Sequence, residues 1–206
     1  MIFATLGPAG SNHAFVLERY LTRHYARNSE QHATGAAAGR SSGRSGARAI
    51  GGIQTRLFPA FPDAFEALLA GQVDRVLQCT AHFSHAECVG RFMHRAFPVD
   101  TFIASSRPLA LLASTSVAKP RTVALQPATR HYTDLTAFAE QIEVETVVAA
   151  AEGLLAGSFD AAICARELLE RHRSRFRLLK DLGPALDVWV IYATTPPPDT
   201  SPLVLP

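Results

Sequence analysis

The feature that most constrains this fold is a pattern written twice. Phe65-Glu66-Ala67-Leu68-Leu69-Ala70-Gly71-Gln72-Val73-Asp74 is echoed by Ala150-Ala151-Glu152-Gly153-Leu154-Leu155-Ala156-Gly157-Ser158-Phe159-Asp160. Each copy reads as a helix, a glycine C-cap and an Asp leading into a buried strand. Those strands are Val73 to Cys79 in the first copy and Phe159 to Cys164 in the second. Two such units predict two similar lobes. Alternating strands and helices predict mainly parallel sheets, with ligands at the C-terminal ends of the strands.

The chain has 206 residues, of which 48% are apolar and 18% charged, which suits a sizeable packed core. The net charge of +2 is too small to suggest a nucleic-acid partner, and Phe58, Phe61, Phe65 and Phe83 are not interleaved with a basic stripe. No apolar run reaches the roughly 18 residues needed to span a bilayer, so no membrane partner is expected. The N-terminus enters a strand pattern directly, without the basic and apolar regions of a secretory signal. Cys79, Cys88 and Cys164 are an odd set, which argues against a disulfide framework and fits a reducing cytoplasm.

Ile2 to Leu6 reads as a buried strand broken by Gly7-Pro8-Ala9-Gly10. Ser11 or Asn12 then caps a helix carrying Ala14, Phe15, Leu17 and Leu21. A strand end, a glycine loop and a helix start suit an anionic small molecule, because helix N-termini present unpaired N–H groups. Residues 33–52 are Gly, Ala, Ser and Arg with little to bury, and read as a flexible insertion. Order returns at Arg56 to Pro59, followed by an amphipathic helix through Phe61, Ala64, Phe65, Leu68 and Leu69. Cys88, Val89, Phe92 and Met93 mark another helix, and Phe102 to Ser114 reads as extended, with Pro108 inside it. Further on, the pattern predicts a strand over Thr122 to Leu125 and a helix over Tyr132 to Gln141. A strand around Val144, Thr146 and Val147 and a helix from Ala149 to Leu155 come next. A helix over Ala165 to His172, a short strand over Phe176 to Leu179 and a strand over Val188 to Tyr192 complete the pattern. Pro196 to Pro206 reads as a proline-rich tail.

With Leu6-Gly7-Pro8-Ala9-Gly10-Ser11, the stretch Phe58 to Asp74, Leu125-Gln126-Pro127 and Phe159 to Leu168 in place, the sequence resembles the catalytic domain of prephenate dehydratases. It is more similar still to the non-aromatising prephenate decarboxylases of bacilysin-type antibiotic pathways. The resemblance implies a two-lobed, type II periplasmic-binding-protein-like α/β fold with a cleft between the lobes. It divides the chain into lobe 1 at 1–105, lobe 2 at 106–186, and a return strand with the tail at 187–206. It also implies a small dicarboxylate substrate, no cofactor and a homodimer.

Several positions depart from the dehydratase pattern. Ala9 stands where typical members have Glu, and Ser11 where they have Thr, so the hydroxyl survives. Gln78-Cys79-Thr80-Ala81-His82 replaces Pro-Ile-Glu-Asn-Ser. The hydroxyl cluster of the second lobe matches Thr146-Val147-Val148, which keeps one hydroxyl. The Thr-Arg-Phe motif falls on Asp187-Val188-Trp189. In dehydratases that threonine is thought to help the ring hydroxyl leave; the decarboxylases lack the motif and carry Trp at the same place.

Two loops that each follow a strand and precede a helix place a substrate carboxylate near Ser11 and Asn12 and near Thr129 and Arg130, and the positions matched to the family pattern add Thr80, Thr146 and Trp189 as substrate contacts. His82 and His85 are candidate proton donors because imidazole titrates near neutrality. Asp187 is a third candidate, if burial raises its pKa. Each has a plainer role available: helix cap, surface arginine, solvated histidine or turn residue. Cys79, His82, His85 and Cys88 are zinc-type ligands three residues apart. A strict period of three drifts around a straight helix, so all four cannot converge from one helix, and no metal is expected.

Overall fold

The protein is described here by a computed structural model covering residues 1–30 and 52–198. The expected insertion, except Gly52, and the tail beyond residue 198 lie outside the described residues. The chain divides into two compact units. One comprises Met1–Ala9, His13–Ala104 and the segment from Asp187; the other comprises Gly10–Asn12 and Ser105–Leu186.

The first unit is built on β1 (Ile2–Leu6), α1 (Asn12–Glu30), β2 (Gln54–Phe58), α2 (Phe61–Leu69), β3 (Arg75–Cys79), α3 (His85–Phe92), β4 (Phe97–Ser105) and β10 (Leu186–Ala193). Its sheet runs β2-β1-β3-β10-β4. β1 is parallel to β2 and β3, and β10 returns antiparallel beside β3 with Trp189 opposite Cys79. Alternation of side chains sends Ala4, Leu6, Val76, Val190 and Tyr192 to one face, under α2 and α3. Phe3, Leu77, Cys79, Trp189 and Ile191 point to the other, under α1. The one hydroxyl inside β1 is satisfied, because Thr5 Oγ1 donates to the Leu77 carbonyl at 2.9 Å.

The second unit contains β5 (Leu109–Ser114), β6 (Thr122–Leu125), β7 (Glu140–Glu143), α4 (Val147–Ala156), β8 (Ala161–Ala165), α5 (Glu167–Arg171) and β9 (Phe176–Gly183). Its sheet runs β7-β6-β8-β5-β9. β6 is parallel to β7 and β8, while β5 is antiparallel to both β8 and β9. Both sheets therefore have the same order: second, first, third, a strand from the lobe crossing, fourth. Apart from Gly10–Asn12, the chain enters the second unit after β4 and returns to the first at β10. Each crossing strand joins a parallel core of three strands from the opposite direction, so the sheets are mixed. This duplicated arrangement is the type II periplasmic-binding-protein-like fold.

The repeated sequence pattern has a physical counterpart in each unit. The Gln72 amide donates to the Ala67 carbonyl and Gly71 to Leu68; Ser158 donates to Gly153 and Gly157 to Leu154 in the same arrangement. This is a Schellman closure, and it requires the left-handed backbone of Gly71 (φ +67°) and Gly157 (φ +77°). The Asp that follows fastens the start of the unit's first strand. Asp74 Oδ2 accepts the Ile2 amide at 2.6 Å, and Asp160 Oδ2 accepts Arg121 at 2.7 Å and Thr122 at 3.1 Å.

Three expectations need correction. Tyr132–Gln141 is not a helix: a single 3-10 turn, Pro127–Thr129, is followed by irregular chain, and Gln141 already belongs to β7. Asp134 Oδ1 accepts from the amide and hydroxyl of Thr136, and this local bonding competes with helix formation. The strand expected around Val144, Thr146 and Val147 lies earlier, at Glu140–Glu143, because Thr146 Oγ1 accepts from the Ala149 amide and caps α4. The extended stretch Phe102 to Ser114 is the end of one strand and the whole of another, in different sheets, with Pro108 in the break.

Candidate functional site

At the C-terminal ends of β1 and β3, the first unit gathers three rings around a histidine. His13 lies in the first turn of α1, Phe61 opens α2, His82 follows β3, and Trp189 comes from β10. The His13 ring stands edge-on to Phe61, His82 and Trp189, with centroids 5.3, 5.5 and 5.4 Å away. His82 is edge-on to Phe61 at 4.9 Å and lies 4.4 Å from Phe83, whose ring is 85% exposed. The local sequence explains this convergence. Two helices start here, and each directs its first aromatic ring back over the strand ends; the His82–Ser84 turn brings in the third.

The chemistry of the cluster is that of neutral groups. The Ser84 backbone N–H, 3.3 Å from His82 Nδ1, can only donate, so Nδ1 is the bare nitrogen and the ring proton is on Nε2. Ser84 Oγ lies 2.8 Å from the same nitrogen and fixes the ring. Burial, and secondarily His85, pushes the His82 pKa below its ordinary value. Burial lowers His13 to about 3, with a smaller contribution from His82. Both imidazoles are therefore uncharged at neutral pH. His13 Nε2 and the Trp189 indole nitrogen are enclosed and make no hydrogen bond among the described residues.

His85 begins α3, and its Nε2 is 3.1 Å from the Tyr192 hydroxyl; its pKa is lowered by burial. Asp187 is half-buried on β10, and burial raises its carboxyl. Its charge helps raise the Cys79 thiol to about 11, though burial is the main cause. Thr80 Oγ1 donates to the Val188 carbonyl at 3.1 Å and ties the end of β3 to β10. Trp189 is only 1% exposed and packs with Leu77, Cys79 and Ile191. Cys79 and Cys88 belong to core clusters on opposite faces of the sheet, and among the described residues no group of three metal-type ligands converges.

The remaining expected contacts lie in the second unit. Ser11 is buried, and Asn12 Oδ1 accepts the Arg107 amide at 3.1 Å. Gly10, before them, has φ +87°, a conformation that favours glycine. Thr129 is buried, and its hydroxyl donates to the Gln126 carbonyl at 2.8 Å. Arg130 is paired with Glu143 and donates to Gln141 Oε1 at 3.1 Å. Thr146 serves as the α4 cap. The structure thus brings His82 and Trp189 together through His13, a residue that sequence reasoning passed over. The available signal was a histidine directly after the Ser11-Asn12 cap, on the turn that the glycine loop aims at the strand ends.

Comparison with known proteins gives the fold. A prephenate dehydratase from Arthrobacter aurescens, solved in complex with L-Phe, superposes with a TM-score of 0.60 over 95% of this chain at 15% identity. This chain spans 61% of that protein's length. GqqA, described as a novel type of quorum quenching acylase, superposes with a TM-score of 0.51 over 100% of this chain and 68% of its own, at 16% identity. No protein-family model matches the sequence, and no curated protein does. The chain therefore has a prephenate-dehydratase-like, two-lobed fold. No described helix is long and apolar enough to cross a membrane.

Proposed function

We propose that the chain is a cofactor-free lyase that decarboxylates prephenate without aromatising its ring. The observation that carries this is what stands on β10 at the place of the dehydratase Thr-Arg-Phe motif. In place of a hydroxyl donor, β10 carries the half-buried Asp187 carboxyl and, two residues on, the enclosed Trp189 indole. The threonine hydroxyl of that motif has no counterpart at Asp187-Val188-Trp189.

The reaction balances without an oxidant or metal. The bond between the ring and its carboxylate breaks, and its electron pair moves into the diene. Carbon dioxide leaves, and one proton arrives at a ring carbon. The C–O bond stays intact, giving a dihydro-hydroxyphenylpyruvate. Asp187 suits the proton transfer because burial keeps its carboxyl protonated to higher pH than usual. His82 and His85 are alternative donors, although burial lowers both and makes their charged forms scarcer at neutral pH. An apolar, ring-lined site favours loss of a carboxylate as a neutral gas. Thr80 in the first unit, and Ser11, Asn12, Thr129, Arg130 and Thr146 in the second, are each proposed as dicarboxylate contacts of their own unit. An anion at Arg130 has to compete with Glu143.

The runner-up is prephenate dehydratase activity, favoured by the fold shared with the Arthrobacter enzyme. Purified protein mixed with prephenate separates the two. Loss of prephenate without phenylpyruvate supports the decarboxylase; phenylpyruvate formation supports the dehydratase. A thermal shift with prephenate and no turnover would leave a binding module.

A further inference from the structure

The first unit encloses two ring nitrogens that nothing described satisfies: His13 Nε2 and Trp189 Nε1. They belong to rings in edge-on contact, 5.4 Å between centroids. Trp189 is 1% exposed, so its N–H gains no compensating water from the surface. A buried donor without a partner forfeits the hydrogen bond it makes to water in the unfolded chain. A ligand oxygen brought against these rings would satisfy such a group. The third ring, His82, has its Nδ1 taken up by Ser84 and presents Nε2–H as a donor. Beyond burial, the neighbours that lower these two imidazoles are themselves histidines, His82 beside His13 and His85 beside His82. An alcohol oxygen suits such neutral groups better than a carboxylate, which needs a counter-charge: the alcohol would accept from the indole N–H and from His82 Nε2–H, and would donate to His13 in the tautomer with Nε2 bare. Phe83, exposed beside His82, extends the apolar wall outward for the ring that carries the alcohol.

We propose that His13, Trp189 and His82 form a neutral hydrogen-bonding niche that binds the hydroxyl oxygen of a six-membered-ring substrate. This rests on, and deepens, the reading of the site as one for prephenate, and assigns His13 as a substrate-binding residue. A hydroxyl held by neutral groups is oriented without being protonated, so its departure as water is not assisted.

The test compares two keto acids that differ by one ring hydroxyl, 4-hydroxyphenylpyruvate and phenylpyruvate, by titration calorimetry on the full chain. The wild type is expected to prefer the hydroxylated ligand by about tenfold, the value of one buried hydrogen bond of about 1.4 kcal/mol. His13→Phe keeps an aromatic edge and removes the nitrogens, and should bring the ratio close to one with phenylpyruvate binding retained. Trp189→Phe should reduce the ratio as well. Trp189 is the sole tryptophan, so in the wild type and in His13→Phe its fluorescence independently reports whether the niche stays folded. Equal wild-type affinities, a preference that survives in both variants, or no binding of either keto acid at millimolar concentration would each overturn the niche. A hydroxyl preference without any turnover of prephenate would keep the niche and sink the lyase.

Discussion

The two lobes have the same strand order but fill their cores differently. The first covers both faces of its sheet with helices and packs them with large rings: Phe3, Phe61, Phe65, Phe92, Tyr20 and Trp189 are all buried. The second lines its strands with alanines, at 110, 113, 124, 161 and 162, and closes one face with α4 and α5. Its other face is covered by Leu135 and Phe138 from irregular chain, where the first lobe has α1. Size is exchanged even inside the repeated pattern. Ala67 and Val73 in the first copy correspond to Gly153 and Phe159 in the second, so a smaller helix residue is matched by a larger one before the Asp. A Cβ on Gly153 would lie 2.1 Å from the Phe159 ring. One backbone plan therefore tolerates two side-chain solutions when the volumes compensate. The lobe with rings and enclosed unpartnered nitrogens is the one that carries the candidate chemistry.

Removing the largest ring should break this contrast most severely. Trp189→Ala is expected to cost about 3–5 kcal/mol, read as a large fall in denaturation midpoint. A loss below about 1 kcal/mol would mean that the indole is not part of a packed core. The buried imidazole should give the first lobe an acid sensitivity. His13 is lowered to about 3 in the folded protein, so its contribution is present above the unfolded value near 6.5 and is lost as pH falls towards 3. Between pH 6.5 and 5 this removes about 2 kcal/mol. His13→Phe should flatten that part of the stability profile.

The second lobe depends on its strand-fastening carboxylate. Asp160 is held below the usual carboxylate range, first by the Arg121 amide and then by Thr122. Its contribution is present above the unfolded pKa and is lost as pH falls through the folded one. Asp160→Ala should cost about 1–1.5 kcal/mol at neutral pH by chemical denaturation, because solvent screens this exposed carboxylate. The smallest effect concerns the size exchange. Gly153→Ala should destabilise by about 1 kcal/mol, because crowding against Phe159 outweighs the better helix propensity. Adding Phe159→Val, which recreates the Ala67–Val73 pairing, should recover most of that loss.

Much of this architecture was legible because it rests on local chemistry. The glycine closures, the following Asp residues and the apolar strands are set by neighbours in sequence, and both copies fold as the pattern predicts. The continuous apolar run at Val188 to Tyr192 likewise forms the core of β10. What the pattern did not show depends on distant partners. Leu135 and Phe138 look like one face of a helix, yet they serve as a plug while Asp134 turns the chain. The direction of the crossing strands is a matter of topology, invisible to periodicity. In the candidate site, His82 and Trp189 stand out in the sequence by their departures from a family pattern. His13 does not, because its significance lies in three rings that meet only in the fold.

The central claim is that this site removes a carboxylate and keeps a hydroxyl. Proton NMR of the product formed from prephenate in deuterated water tests it most directly. The account predicts loss of the ring carboxylate, a retained carbinol proton, and one deuterium on a ring carbon. An aromatic phenylpyruvate spectrum, or prephenate unchanged beyond its spontaneous decay, would contradict it.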